Sequence, residues 1–330
     1  MAGDGPGDAV LSCRDLRIEI GGMPVVDGTS LSIAAGETLA LVGESGCGKS
    51  MTALGLIRLL PDAARQGGGA VTLAGTRIDS LPERQMNRLR GDRMAMIFQE
   101  PVASLDPLMP VGRQIAEALD REPGLDRAAV RARVLDILRR VGLDRPEVRA
   151  RQYPFQLSGG MCQRVMIAMA MIRRPLLLIA DEPTTALDVT IQKQILELMA
   201  DLRRETGSAV LLITHDMGVV SESADRVAVM YAGRIVETGS VRQVFAAPRH
   251  PYTAMLLRTI PRLDGPRKVA LPAIPGAVPD IRDWPAGCRF HPRCPLAGAR
   301  CRAEAPPLDA VAPGHQTACW HHDRIAEVLT

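Results

Sequence analysis

Lysine is nearly missing from this chain. Of 40 basic residues in 330, only Lys49, Lys193 and Lys268 are lysines. A G+C-rich genome produces such a bias, and it makes each lysine worth inspecting. Long apolar runs are missing too. The longest is residues 165–172, closed by Arg173, and another is 176–180, closed by Asp181. A membrane helix needs roughly 18 or more such residues, so none is expected. Charge of one sign is also scarce: 40 basic against 37 acidic residues leave +3, which is no footprint for nucleic acid. The first nine residues are rich in Gly and Asp and lack the basic start and apolar stretch of a secretory signal. A cytoplasmic location follows as an expectation, and structural disulfides are rare there. At 46% hydrophobic and 23% charged, the chain has a globular balance. Its length fits one large domain or two ordinary ones.

Composition changes near residue 245. Residues 251–330 hold 12 of the 25 prolines, and five of the six histidines lie from His250 onward. The first part reads as alternating strands and helices, the tail as a loop-rich, stapled module. Strands are predicted at 38–42, 176–180 and 209–214, and a helix over about 49–60. Residues 106–150 look helical, with Ile115, Leu119, Val134, Ile137, Leu138 and Val141 at helical spacing. Buried apolar strands alternating with helices argue for a mainly parallel α/β sheet.

Gly43, Glu44, Ser45, Gly46, Cys47, Gly48, Lys49 and Ser50 match G-x-x-x-x-G-K-[ST], between a predicted strand and a predicted helix. Glycines let the backbone curl so that amides face phosphate oxygens, and the helix start adds a positive dipole end. Lys49 brings a point charge to the phosphates, and Ser50 brings a hydroxyl for Mg²⁺. Cys47 reads as a small filler. At the end of the apolar strand 176–180 stand Asp181 and Glu182. Ligands of such sheets bind at strand C-termini. Asp181 would hold Mg²⁺ and Glu182 would polarise the attacking water. Ser158, Gly159 and Gly160 precede a helix expected near Cys162. Gln99 follows the apolar run 94–98, and His215 follows the strand 209–214.

The order of these features (Gly-rich loop, Gln99, Ser-Gly-Gly, Asp-Glu, Ala186-Leu187-Asp188, His215) resembles the ATP-binding cassette (ABC) ATPases across residues 10–245. That resemblance implies a P-loop ABC cassette with a RecA-like core, a helical subdomain over about 106–165 and an antiparallel β region. It implies ATP sandwiched between two cassettes paired head to tail. Gly43 through Met51 would bind the nucleotide, Ser50, Gln99 and Asp181 would hold Mg²⁺, and Glu182 would be the general base. His215 would contact the γ-phosphate. Ser158, Gly159 and Gly160 would reach the nucleotide on the partner cassette, and Asp188 would help join the two sites. Met161 stands where Gln is commoner after Ser-Gly-Gly. Many members stack an aromatic ring on adenine, but residues 18–24 contain none, leaving Ile20 for apolar contact.

Longer strings narrow the resemblance. DEPTTALDVTIQ (181–192), EPVASLDP (100–107), VMYAG (229–233) and HPYT (250–253) are similar to the ATP-binding subunits of dipeptide/oligopeptide importers. Nickel and glutathione importers share them. The implied partners are two transmembrane permease subunits, a second and related ABC ATPase, and an extracytoplasmic substrate-binding protein, with no nucleic acid. The implied place is peripheral, on the cytoplasmic face of the inner membrane. The division expected is a cassette over 1–245 and a small Cys/Pro-rich C-terminal domain over 246–330. In that tail Cys288, Cys294, Cys301 and Cys319 are spaced C-x5-C-x6-C-x17-C, which is not the paired C-x2-C zinc pattern. By residue type alone an iron–sulfur cluster, a zinc ion or no metal all stay open. The family resemblance implies a four-iron, four-sulfur (4Fe-4S) cluster.

Overall fold

The computed structural model describes residues 9–120, 122, 124–185, 187–260 and 273–329. Lys268, Ala186 of the Ala-Leu-Asp motif and the first eight residues lie outside them. In chain order the strands are β1 (Ala9–Ile20), β2 (Met23–Ala34), β3 (Thr38–Val42), β4 (Ala64–Leu73), β5 (Thr76–Arg77) and β6 (Met94–Ile97). They continue with β7 (Leu177–Asp181), β8 (Ala209–Thr214), β9 (Arg226–Tyr231), β10 (Arg234–Ser240), β11 (Asp309–Ala312) and β12 (His315–Thr317). The chain forms two compact units. One comprises the residues up to 33, 37–79 and those from 212 on; the other comprises 34–36 and 80–211.

In the first unit, strands β2, β1, β4 and β5 lie side by side in that order. β1 alternates along its first half, with Leu11 and Cys13 inward and Arg14 outward, as a half-buried strand should. It pairs antiparallel with β4, Leu11 facing Leu73, and the register slips between Arg14 and Arg17. β3 behaves differently: all five residues are buried, and it runs parallel to β9. A strand covered on both faces needs such a continuous apolar run. β9 turns into β10 through Ala232 and Gly233, both with positive φ, the turn geometry that matches strand twist. β12 then pairs with β10, and β11 with β12, so residues near the C-terminus extend this set of strands.

The core of this unit gathers Val42, Val229, Tyr231, Tyr252 and Phe290. Tyr231 sits edge-on to Tyr252 and Phe290, with ring centroids 4.8 and 5.1 Å away. Edge-to-face rings contribute about 0.5–1.5 kcal/mol beyond their buried area. The helix after the Gly-rich loop spans Lys49–Leu56, four residues shorter than its apolar pattern predicts. It stops because Arg58 turns left-handed at φ 55°.

In the second unit β6 and β7 pair in parallel, Met94 beside Leu177, and Ala209 at the start of β8 donates to the Leu176 carbonyl at 2.8 Å. The predicted helical stretch 106–150 resolves into Val111–Glu117, Arg127–Arg140 and Pro146–Arg149. Gly124 and Gly142 take positive φ in the breaks, and Asp126 caps the middle helix by accepting from Ala129 N. Three further helices, Glu83–Leu89, Gly159–Met171 and Val189–Thr206, also belong to this unit.

Candidate functional site

β3 delivers the Gly-rich loop, and the loop is built for close approach. A Cβ on Gly43 would meet Met230 O at 2.2 Å, and one on Gly48 would meet Val25 O at 2.8 Å. Their φ values, 155° and 106°, also suit glycine. Gly48 begins the helix Lys49–Leu56 without any side-chain cap, and no acidic residue stands in its first turn. The first amides of a helix have no partners within it, so this end suits an anion. Lys49 is buried, and its Nζ donates to Gly43 O at 2.8 Å and Glu44 O at 3.0 Å. The ammonium is thereby held within the loop it is expected to serve. Cys47 is buried as well, and burial pushes its thiol up despite nearby Lys49. Its carbonyl accepts from Gly233 N at 2.9 Å, fastening the loop to the β9–β10 turn.

Two residues from far along the chain also hold this loop. The Glu44 amide donates to Tyr252 Oη at 2.8 Å. The Glu44 carboxylate takes two bonds from Arg293, at 2.7 and 2.9 Å. Reasoning from sequence missed both, because nothing local to either partner signals the pairing. His215, in the same unit, follows β8 and is exposed, just before Asp216 caps the helix Met217–Ser223.

The second unit carries the acidic pair. Asp181 closes β7 and is buried. Glu182 follows with φ 46°, a left-handed conformation that costs a residue bearing a Cβ about 1–2 kcal/mol. Gln99, just past β6, donates from Nε2 to Glu182 Oε2 at 3.0 Å. Thr185 Oγ1 donates to the same oxygen at 2.8 Å. The structure thus joins Gln99 to Glu182 and adds Thr185, which sequence reasoning did not single out. Ser158 caps the helix Gly159–Met171 by accepting from Met161 N, and Asp188 caps Val189–Thr206 by accepting from Thr190 N and Ile191 N. The two caps are neighbours: a Cβ on Gly160 would stand 3.2 Å from Ile191 Cγ2.

Comparison with known proteins decides the family. An ABC transporter profile matches residues 26–185, and one for the C-terminal region of oligopeptide/dipeptide transporters matches 236–301. A probable peptide ABC transporter ATP-binding protein, y4tR, of Sinorhizobium fredii is 49% identical, with 97% of each chain covered. The chain belongs to the ATP-binding subunits of oligopeptide/dipeptide ABC transporters. OppD of Salmonella typhimurium is 47% identical over 96% of this chain and 94% of its own. DppD of Escherichia coli is 48% identical over 90% of each. Among solved structures, the dimeric post-hydrolysis cassette MJ0796 with ADP and Pi is similar at a TM-score of 0.63 and 26% identity. It covers 70% of this chain and 99% of that one. The ABC cassette fold, with its mixed α/β structure, is therefore the fold of this family member too.

One expectation for this member of the peptide-transporter family is overturned. Among the described residues, no group of three or more His, Cys, Asp or Glu is disposed to hold a metal ion. Cys288, Cys294, Cys301 and Cys319 are free thiols around a cavity of about 10 Å³ that Phe290 and Trp320 also line. That is about the room of one water and far too little for an iron–sulfur cube. Burial pushes the thiols of Cys294 and Cys319 up to about 11 and about 12, and raises that of Cys288. The 4Fe-4S assignment is withdrawn.

Proposed function

We propose that this chain binds and hydrolyses ATP to energise peptide import through membrane permease subunits. The observation that carries this reading is the Glu182 carboxylate, clamped by Gln99 and Thr185 at the end of β7, immediately after buried Asp181. A base must be held still to orient a water, and the bonds from Gln99 and Thr185 fix this carboxylate in place.

The roles follow from chemistry. The loop from Gly43 to Met51 binds the phosphates through backbone amides and Lys49. Ser50, Gln99 and Asp181 offer hydroxyl, amide and carboxylate oxygens, the hard donors Mg²⁺ takes. When bound, Mg²⁺ neutralises phosphate charge. Glu182 accepts the proton of the attacking water, and His215 addresses the γ-phosphate. Ser158, Gly159, Gly160 and Asp188 serve a second, related cassette, whose nucleotide they would contact across the dimer.

The family's partners are permeases and an extracytoplasmic binding protein. The stretch after Gln99 supports a docking role: Val102 is 54% and Leu108 86% exposed, unusual for large apolar residues. No helix among the described residues is long and apolar enough to cross a membrane. On the family reading, the chain works peripherally, on the cytoplasmic face, with the cassette over 1–245 and the family-specific tail over 246–330. The test is Glu182→Gln in the assembled transporter: ATP is retained and turnover is lost. Normal turnover would refute the assignment.

A further inference from the structure

The C-terminal region reaches the nucleotide loop directly, and the contact is unusual in its chemistry. Glu44 puts a carboxylate into a loop whose task is to receive a polyanion. Arg293 meets it with a forked, two-bond contact, Nη1 to Oε2 at 2.7 Å and Nη2 to Oε1 at 2.9 Å. The Arg293 side chain is only 5% exposed. Its Nε donates to Pro275 O at 2.7 Å, and Nη1 lies 3.4 Å from Tyr231 Oη. The guanidinium also faces the rings of Tyr231 and Phe290, with centroids 5.7 and 5.9 Å away. Such a fork is specific to arginine, since lysine brings a single point charge.

A second anchor stands beside the first. Arg289 binds Asp27 and the Ala232 carbonyl, and its guanidinium stacks on Trp284 at 3.6 Å. Trp284 in turn covers Gly233, the residue that donates to Cys47 O of the loop. The segment 284–293 therefore braces the loop at Glu44 through charge and at Cys47 through the turn.

We propose that Arg293 is a positioning residue for nucleotide binding: it neutralises Glu44 and turns that carboxylate away from the phosphates, so that ATP affinity depends on the C-terminal region. This rests on the ATPase reading above. Unpaired, Glu44 would repel the incoming phosphates and release the amide that Tyr252 now holds. Replacing both charged partners removes the repulsion, whereas replacing Arg293 alone exposes it.

The experiment is equilibrium binding of MgATP to the full chain by calorimetry, with the melting temperature followed in parallel. Arg293→Gln is expected to weaken MgATP at least tenfold. The double variant Arg293→Gln, Glu44→Gln is expected to recover to within about threefold of the parent, and Arg293→Lys to fall between. Should Arg293→Gln not fold, the lysine variant and the double variant carry the comparison. Unchanged affinity in Arg293→Gln, or a double variant as weak as the single one, overturns the proposal. Failure of the parent chain to bind MgATP would instead overturn the ATPase reading, so the two failures are distinct.

Discussion

Gln99 Nε2 and Glu182 Oε2 stand 3.0 Å apart, linking the ends of parallel strands β6 and β7. The residue after one strand thus steers the carboxylate after the other. Glu182→Gln is expected to lower kcat at least a hundredfold while preserving ATP affinity, read by phosphate release and by nucleotide binding. An amide keeps the shape of the carboxylate but accepts no proton.

Thr185→Val tests the second donor. It removes the 2.8 Å bond to Glu182 and leaves the side-chain volume nearly unchanged. The expected result is a several-fold fall in kcat, with KM for ATP kept. A raised KM with kcat unchanged would place Thr185 outside the chemistry.

Gly43→Ala tests the close approach of the loop. The new methyl would stand 2.2 Å from Met230 O, a backbone atom that cannot swing aside. Overpacking of this kind costs about 1–3 kcal/mol, seen as a lowered melting temperature together with lost nucleotide binding. Gly46→Ala separates crowding from conformation, because no atom lies within 4 Å of its Cβ.

Glu237 is completely buried and satisfies three donors or partners at once: Arg249 N at 2.6 Å, His250 N at 2.9 Å and His315 Nε2 at 2.7 Å. It ties β10 both to β12 and to the start of the helix Pro251–Arg258. Glu237→Ala would strand the buried His250 amide and the half-buried Arg249 amide, at a cost of about 3–5 kcal/mol by denaturant unfolding.

His250 supplies a pH dependence. Burial lowers its pKa to about 3 from an ordinary 6.5. The unfolded chain therefore binds the proton first as pH falls. Stability contributed by the neutral ring is complete above 6.5 and declines towards pH 3, by up to about 1.4 kcal/mol per unit. His250→Asn, whose Oδ1 would replace Nδ1 as the acceptor for Tyr252 N, should flatten that part of the stability–pH curve; an unchanged slope would count against a buried neutral ring.

What the sequence made legible was local. Lys49, Ser50, Asp181 and Glu182 are recognisable because each sits in a short string at the end of an apolar strand. The strands over 38–42 and 209–214 are legible for the same reason: continuous burial leaves a continuous apolar run. Arg293 and Tyr252 were not legible, since they meet Glu44 across 249 and 208 residues. The four tail cysteines were misread in the opposite direction. The family resemblance implied cluster ligands, while the cavity they line has about the room of one water.

The left-handed backbone at Glu182 also places this protein in a bargain between durability and turnover. Glycine would relax that position by about 1 kcal/mol, and a library selected only for heat resistance would drift towards it. Thermostabilised versions of this subunit should therefore be screened by ATP consumption, because the most robust clones are where the catalyst is easiest to lose.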